Sequence, residues 1–442
     1  MLKDVKPVQT EVEHVLVIGA GVAGMTVAQV LTKNGISCEI LEGRSRIGGR
    51  IHTVSVGGVP ADLGAAWVHR PTGNPLSMLL ERATIQTRRF PMEGLMLGGA
   101  FYKGTKRLGR LPTLLVLMQS AFFQKFVTSA NLQAFGSAQE VLDDFLSRKR
   151  FSAETADRVR ALLTAFVELN RSDHLVALSP ESLKLDHPYK GRDRVPIGGY
   201  SQLVSQMSSN LRIRTEAVVE RVEIKSDRVV THLQSGEALE SSHIVLTVPL
   251  GVLKSEIRFD PELPTEKLSA IERMGFGRLE KAIFVFHERF WKADALLLET
   301  HDRASISFLD FTKVTGRPTL VAFLSGSSLP KNSTSSEAIT ETAWNALVQS
   351  FGVSSSMLKE SQTSAWGFDP FSKGSYSYFA KTSSREDIRT LSSPVGERVL
   401  FAGEATNYEK TSTVDAALMS GLREGSRLLR HSKSLEQMLR EL

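Results

Sequence analysis

The sequence predicts a mixed α/β protein in which a nucleotide-binding parallel sheet is assembled from three separated stretches, with a second domain of mixed sheet and helices inserted twice between them. Three features predict this: an opening strand, glycine-rich turn, helix and strand; a long helical block; and a return of strand character in two later episodes. With 442 residues the chain exceeds one ordinary hydrophobic core, so two connected domains are expected.

His14 to Gly19 is a short Val/Ile-rich run, Val22 to Asn34 places apolar side chains on one helix face, Gly35 ends that helix, and Ser37 to Leu41 is a second strand. From Leu111 to Leu169 apolar residues recur at helical spacing with Pro112 as the sole proline, which marks residues 111–169 as a helical block. After Gly198–Gly199–Tyr200, strands are expected at Glu216–Ile224, Arg228–Gln234 and His243–Val248. A second excursion starts near Met274, with strands at Lys281–Phe286 and Pro318–Leu324, a helix at Glu337–Phe351 and an aromatic stretch from Trp366 to Tyr378. Arg398–Ala402 is a last strand, Gly403–Glu404 a turn, and Val414–Leu429 a terminal helix. The expected division is 1–85, 194–262 and 390–442 for the nucleotide-binding domain, and 86–193 and 263–389 for the inserted substrate domain.

Composition narrows the class. At 41% hydrophobic and 23% charged residues, with no run near the roughly 20 apolar residues of a bilayer span, a soluble globular protein without a membrane span is expected. Met1 to Glu13 lacks the apolar core of a secretory signal, so a cytoplasmic protein is expected; Arg440-Glu-Leu442 is a poor peroxisomal signal. The single cysteine, Cys38, excludes an intrachain disulfide and a thiolate-rich metal site, and reads as a small buried residue of a strand; no metal is expected. The net charge of +6 is dispersed apart from clusters at Lys103–Arg110 and Arg423–Lys433, which read as solvated faces and not as a nucleic-acid surface.

Gly19-Ala-Gly21-Val-Ala-Gly24 falls at the first strand-to-helix junction, where glycines permit a tight turn, backbone approach to a pyrophosphate and close helix packing. The pattern alone is weak, but Glu42 ends the second strand 18 residues after Gly24, where an acid accepts from ribose hydroxyls. Together they point to an adenine dinucleotide. Arg44 and Arg50 flank the Gly48–Gly49 turn and suit the pyrophosphate from the side opposite the first helix.

From Glu42 to Arg50 the sequence resembles the flavin-containing amine oxidases, which carry the same acid followed by Arg-x-Gly-Gly-Arg, here Arg46 to Arg50. The resemblance implies non-covalent FAD on a Rossmann-like domain of the glutathione-reductase type, with a substrate domain over the flavin ring. It runs through the whole chain. Asp62-Leu-Gly-Ala-Ala-Trp-Val-His69 resembles the segment beneath the ring, which makes Ala66 and Trp67 cofactor contacts and His69 a distal substrate group, as in spermine oxidases. Arg194 to Tyr200 resembles the return to the FAD domain, Val219 the adenine contact, and Thr247 to Lys254 a strand exit. Phe401-Ala-Gly-Glu-Ala-Thr406 with Ser412-Thr-Val414 resembles the last cofactor segment; Gly403 and Glu404 are implied at the ribityl chain, and Thr413 and Val414 beside the ring. None of its residues is cysteine, the residue that carries covalent flavin in monoamine oxidases. Lys281 is similar to the family's buried lysine that holds a water against flavin N5; without the resemblance it reads as a lysine reaching past an apolar strand to solvent. Trp366 is implied near the flavin and Tyr376 as one wall of an aromatic cage. The chain departs from the family in having Arg70 where Gly is common, Asp415–Ala416 in place of His-Gly, and Lys410 where an aromatic is frequent.

The expected activity is oxidation of an amine, a polyamine such as spermine, spermidine or an acetylated form, with oxygen as acceptor and peroxide, an aldehyde and a shorter amine as products. Lys281 is the catalytic candidate; His69, Tyr376 and Glu168 are the substrate candidates, Glu168 being either a second-amine ligand or a solvent-exposed acid. The competing readings are a histone-lysine demethylase, another flavin oxidase or desaturase, and a flavin-binding protein without turnover.

Overall fold

Five short parallel strands form one sheet in the order Val399–Phe401, His243–Leu246, His14–Ile18, Ser37–Leu41 and Ile213–Arg214. The computed structural model describes residues 5–90, 100–107, 110–184, 188–299, 304–330, 335–429 and 433–442. Parts of the N-terminal stretch, of both basic clusters and of the 86–193 and 263–389 segments therefore lie outside the described residues.

The unbroken apolar run Val15–Ile18 of this first strand follows from burial on both faces of a parallel sheet. Val15 and Val17 pack with the helices Val22–Lys33 and Val414–Leu428, whereas Leu16 and Ile18 meet a four-stranded sheet through Val219, Val222 and Leu233. Each such buried side chain contributes about 1.5–3 kcal/mol. The two helices meet closely because Gly421 and Gly425 face Ala23, Thr26 and Val30 without a Cβ of their own. Cys38 is buried in the same core, and burial, then Glu39, pushes its thiol up to about 12, so it behaves as the expected packed residue.

The expected helical block forms three helices, Arg110–Ser129, Ala138–Ser147 and Ala153–Arg171. Their starts were written locally: Ser137 and Ser152 accept from the backbone N–H groups of Glu140 and Thr155. Beside them lies a seven-stranded mixed sheet, in which Leu279–Phe286 runs between Leu358–Thr363 and Thr319–Ser325. Alternation along Leu279–Phe286 sends Ala282, Phe284 and Phe286 towards the helix Ser336–Phe351, and Leu279, Ile283 and Val285 to the opposite face. Lys281 shares the second parity.

The basic clusters differ from the expectation. Lys103, Lys106 and Arg107 are exposed, but Arg423 is buried, donating to the carbonyls of Thr406 at 2.6 Å and Phe401 at 2.7 Å and pairing with the buried Glu424. A charge run does not reveal which of its members turns inward; carbonyls and a carboxylate already in the core make that burial tolerable here.

Candidate active site

A cavity of about 780 Å³ opens at the carboxyl ends of the parallel strands, where Gly19, Glu42, Thr247 and Gly403 follow four of them, and the seven-stranded sheet roofs it with Lys281 and Phe323. Ligands of open α/β sheets bind at this edge. The helix Val22–Lys33 begins on the cavity at Gly21, which offers no side-chain cap, and no acid lies in its first turn. A Cβ on Gly21 would meet nothing within 4 Å, while one on Gly24 would collide with the Gly19 carbonyl. Uncapped N–H groups facing open space suit an anionic phosphate, and Gly24 serves the turn from behind the wall.

Glu42 is buried on the cavity wall; its carboxylate accepts from the backbone N–H of Ala20 at 2.9 Å and of Arg44 at 3.0 Å. Arg44 is held by Asp369 and Ser372, and Arg50 by Glu404 and the Ser375 carbonyl, so both guanidinium groups are fixed on the wall beside Gly49. Glu404 also accepts from Ser377 Oγ at 2.6 Å and from the Ser412 N–H at 2.8 Å, tying the segment that carries Thr413 and Val414 to the cavity. Val219 lines the Glu42 end with Ala217 and Gln234. These residues fit an adenine dinucleotide: uncapped N–H groups, an acid and two fixed arginines share one elongated cavity.

At the other end Lys281 Nζ is buried and donates to the carbonyls of Asp62, at 3.0 Å, and Gly64. It lies 5.4 Å from the Trp67 ring and 5.6 Å from that of Phe323. Burial lowers its pKa to about 8, against the attraction of Asp62, whose own carboxyl is raised by burial. An ammonium has three donors, and two are spent on these carbonyls, which leaves one for the cavity. Ala66, Trp67, Trp366 and Tyr376 line the same region; Trp366 Nε1 donates to Leu63 O at 3.1 Å and the Tyr376 hydroxyl to Leu169 O at 2.7 Å, so both rings are held by backbone.

Glu280, absent from the sequence reading, organises this wall. Wholly buried, it accepts from Ser364 Oγ at 2.6 Å, Trp366 N at 3.0 Å and Gly367 N at 2.8 Å, while Ser364 Oγ accepts from the Lys281 N–H at 2.8 Å. Its only sequence signal was an acid inside an apolar strand. His69 lines the wall, its Nδ1 3.0 Å from Asp193 Oδ2, and Arg70, Asp193 and Lys410 join it there.

Glu168 corrects the expectation: it is neither a substrate ligand nor a solvent-exposed acid. It is buried off the cavity, accepting from Ser327 N at 2.8 Å and Ser327 Oγ at 2.6 Å, and burial raises its pKa to about 7. On the helix Ala153–Arg171 the cavity takes Phe166, Leu169 and Asn170, and helical periodicity turns Glu168 to the opposite side.

The cavity thus joins residues that suit a dinucleotide, at the end of a parallel sheet, to a buried lysine on its roof. The family model described as flavin containing amine oxidoreductase matches residues 22–429, and the chain belongs to that family, whose cofactor is FAD. Over 95% of its length it is 31% identical to 57% of "Lysine-specific histone demethylase 1 homolog 2" of Oryza sativa subsp. japonica. It is 29% identical over 97% of its length to 60% of the Arabidopsis thaliana protein of that name, and 30% identical over 98% to 57% of "Protein FLOWERING LOCUS D" from the same plant. The chain thus spans less than two thirds of these curated relatives. Among the described residues no helix is long and apolar enough to cross a membrane.

Proposed function

We propose that this protein is an FAD-dependent oxidase of a small-molecule amine, with oxygen as the acceptor. The observation that carries the reading is Lys281, a buried amine with two of its donors fixed on carbonyls, at the aromatic end of a dinucleotide cavity. Gly21, Glu42, Arg44, Arg50, Glu404 and Val414 are the residues proposed to hold FAD, which when bound supplies the hydride acceptor and the site of reoxidation. Trp67, Phe323, Trp366 and Tyr376 exclude water, which lowers the pKa of an entering ammonium so that the neutral amine is the reacting form. The substrate gives up a hydride from the carbon beside nitrogen and a proton, leaving an imine; water converts it to a carbonyl compound and a shorter amine. Oxygen takes up the two electrons and two protons as hydrogen peroxide. Lys281 holds its free donor at the reacting end, where charge develops.

Two substrates divide this reading: a polyamine, to which the Trp67–His69 resemblance points, and, outside the small-molecule class, a methylated lysine side chain, to which the relatives' names point. Anaerobic flavin bleaching followed by peroxide measurement decides, with spermine, spermidine, simple N-alkyl amines and a methyl-lysine peptide as arms. Bleaching by at least one amine is expected; failure of all four classes, and of amines with a carboxylate or phosphate tail as well, would remove the oxidase reading.

A further inference from the structure

Arg70 stands at the far end of the cavity, three residues along the chain from Trp67, in a left-handed backbone conformation with φ 46°. That region is costly for any residue with a Cβ, and a strained residue on a cavity wall points to a task for its side chain. The conformation is enforced: Arg70 N donates to Asp193 Oδ1 at 3.0 Å, and Asn74 Nδ2 donates to His69 O at 2.9 Å. The guanidinium itself makes no hydrogen bond or ion pair among the described residues.

Its neighbours are matched. Lys184 pairs with Glu181 at 2.8 Å, Lys410 with Asp415 at 3.5 Å, and Asp193 is engaged by His69 and by the backbone of Arg70. Lys410 is largely buried and lies within the field of Arg70, which adds a second cation to the same end. The carboxylates here therefore already have partners, and the unmatched charge is positive. A second ammonium would meet repulsion, whereas a planar fork with free donors suits a carboxylate or phosphate.

We propose that Arg70 makes the distal end of the cavity an oxyanion site, so that the amine oxidised carries a carboxylate or phosphate at its other end. The proposal deepens the amine-oxidase reading, rests on it for which end of the substrate reacts, and weighs against a polyamine, whose other end is a second ammonium.

The test uses the FAD-loaded protein and redox-inert probes: butyrate, propyl phosphate and the neutral isostere butyramide, each titrated against the visible flavin spectrum. Butyrate or propyl phosphate is expected to bind at least about ten-fold more tightly than butyramide, and whichever does so identifies the oxyanion. Arg70→Gln should abolish that difference and Arg70→Lys restore part of it. Equal affinities for the three probes in wild type, or an undiminished difference in Arg70→Gln, would overturn the site. Amines with carboxylate, amide and ammonium tails are then compared in anaerobic bleaching. Bleaching indifferent to the tail overturns the proposal and leaves the oxidase reading intact; oxyanion binding through Arg70 without bleaching by any amine overturns the oxidase reading and leaves the site.

Discussion

Lys281→Met is the most informative single change, because its effects on stability and on chemistry have different signatures. Methionine matches the lysine stem in volume and removes the nitrogen. The carbonyls of Asp62 and Gly64 then lose their donor, at about 1 kcal/mol each net. Against this stands the cost of keeping a charged ammonium buried. The lysine titrates near 8 in place of 10.5, a gap worth about 3 kcal/mol. Between these values the folded chain has lost a proton that the unfolded chain retains, so wild-type stability should rise with pH across that window and be indifferent to this group below about 8. The two terms nearly cancel at pH 7, and the variant should fold and keep FAD, with a flatter dependence of stability on alkaline pH. Single-turnover anaerobic reduction, or reoxidation by oxygen, should nonetheless slow by about ten-fold or more, equivalent to roughly 1.4 kcal/mol of barrier. Stopped-flow of each half-reaction measures this, and denaturant melts from pH 7 to 10.5 measure the rest. If both rates stay within about two-fold of wild type with the best amine, Lys281 is a packing residue and the mechanistic argument fails.

Gly24→Ala should lose most of its co-purified flavin, since the new Cβ meets the Gly19 carbonyl and approaches Thr247 Oγ1 at 3.0 Å; an unchanged ratio of flavin to protein absorbance would refute the packing argument. Glu42→Ala should weaken FAD binding by roughly 1–3 kcal/mol, the cost of stranding the Ala20 and Arg44 N–H groups and the ribose hydroxyls, and retention of flavin through dilution checks it. Acid precipitation should leave the yellow colour in the supernatant, because the one cysteine is buried in the sheet core away from the cavity; colour in the pellet would show a covalent flavin.

The half of the cavity proposed to hold FAD was legible because its constraints are local in sequence. Gly19, Gly21 and Gly24 report backbone geometry, Glu42 is placed by the length of one strand–helix–strand unit, and Arg44 and Arg50 lie on the next turn. A reader of periodicity and turn chemistry sees these without knowing the fold. Strands were placed within a few residues for the same reason: Arg398–Ala402 was expected and Val399–Phe401 is found, and Glu337–Phe351 was expected as a helix that runs Ser336–Phe351.

The half of the cavity proposed for substrate draws on His69 and Arg70 from one loop, Phe166 and Leu169 from a helix, Asp193 from a connection, Phe323 and Tyr376 from two strands and Lys410 from the segment before the last long helix. No period links them; only the meeting of the two sheets does. Glu168 shows the cost of choosing by residue type: it was open to a second-amine ligand or a solvent-exposed acid, whereas Phe166 and Leu169–Asn170, one turn apart from each other, occupy the inward face and leave Glu168 on the other side of the helix. Glu280 shows the converse, a carboxylate passed over in an apolar strand: Arg278 reaches it at 3.5 Å from two residues away, but the hydroxyl and two backbone N–H groups that hold it most closely lie more than 80 residues on. Both errors share a physical cause. A buried charge is placed by the donors that surround it, and those donors are assembled by tertiary structure, whereas a glycine turn or a helix cap carries its partners within a few residues of itself. On the proposed reading, substrate choice is decided where sequence patterns are least informative: the sequence marks Arg70 only as a departure from the family, and its backbone angle and unmatched charge became visible in the fold.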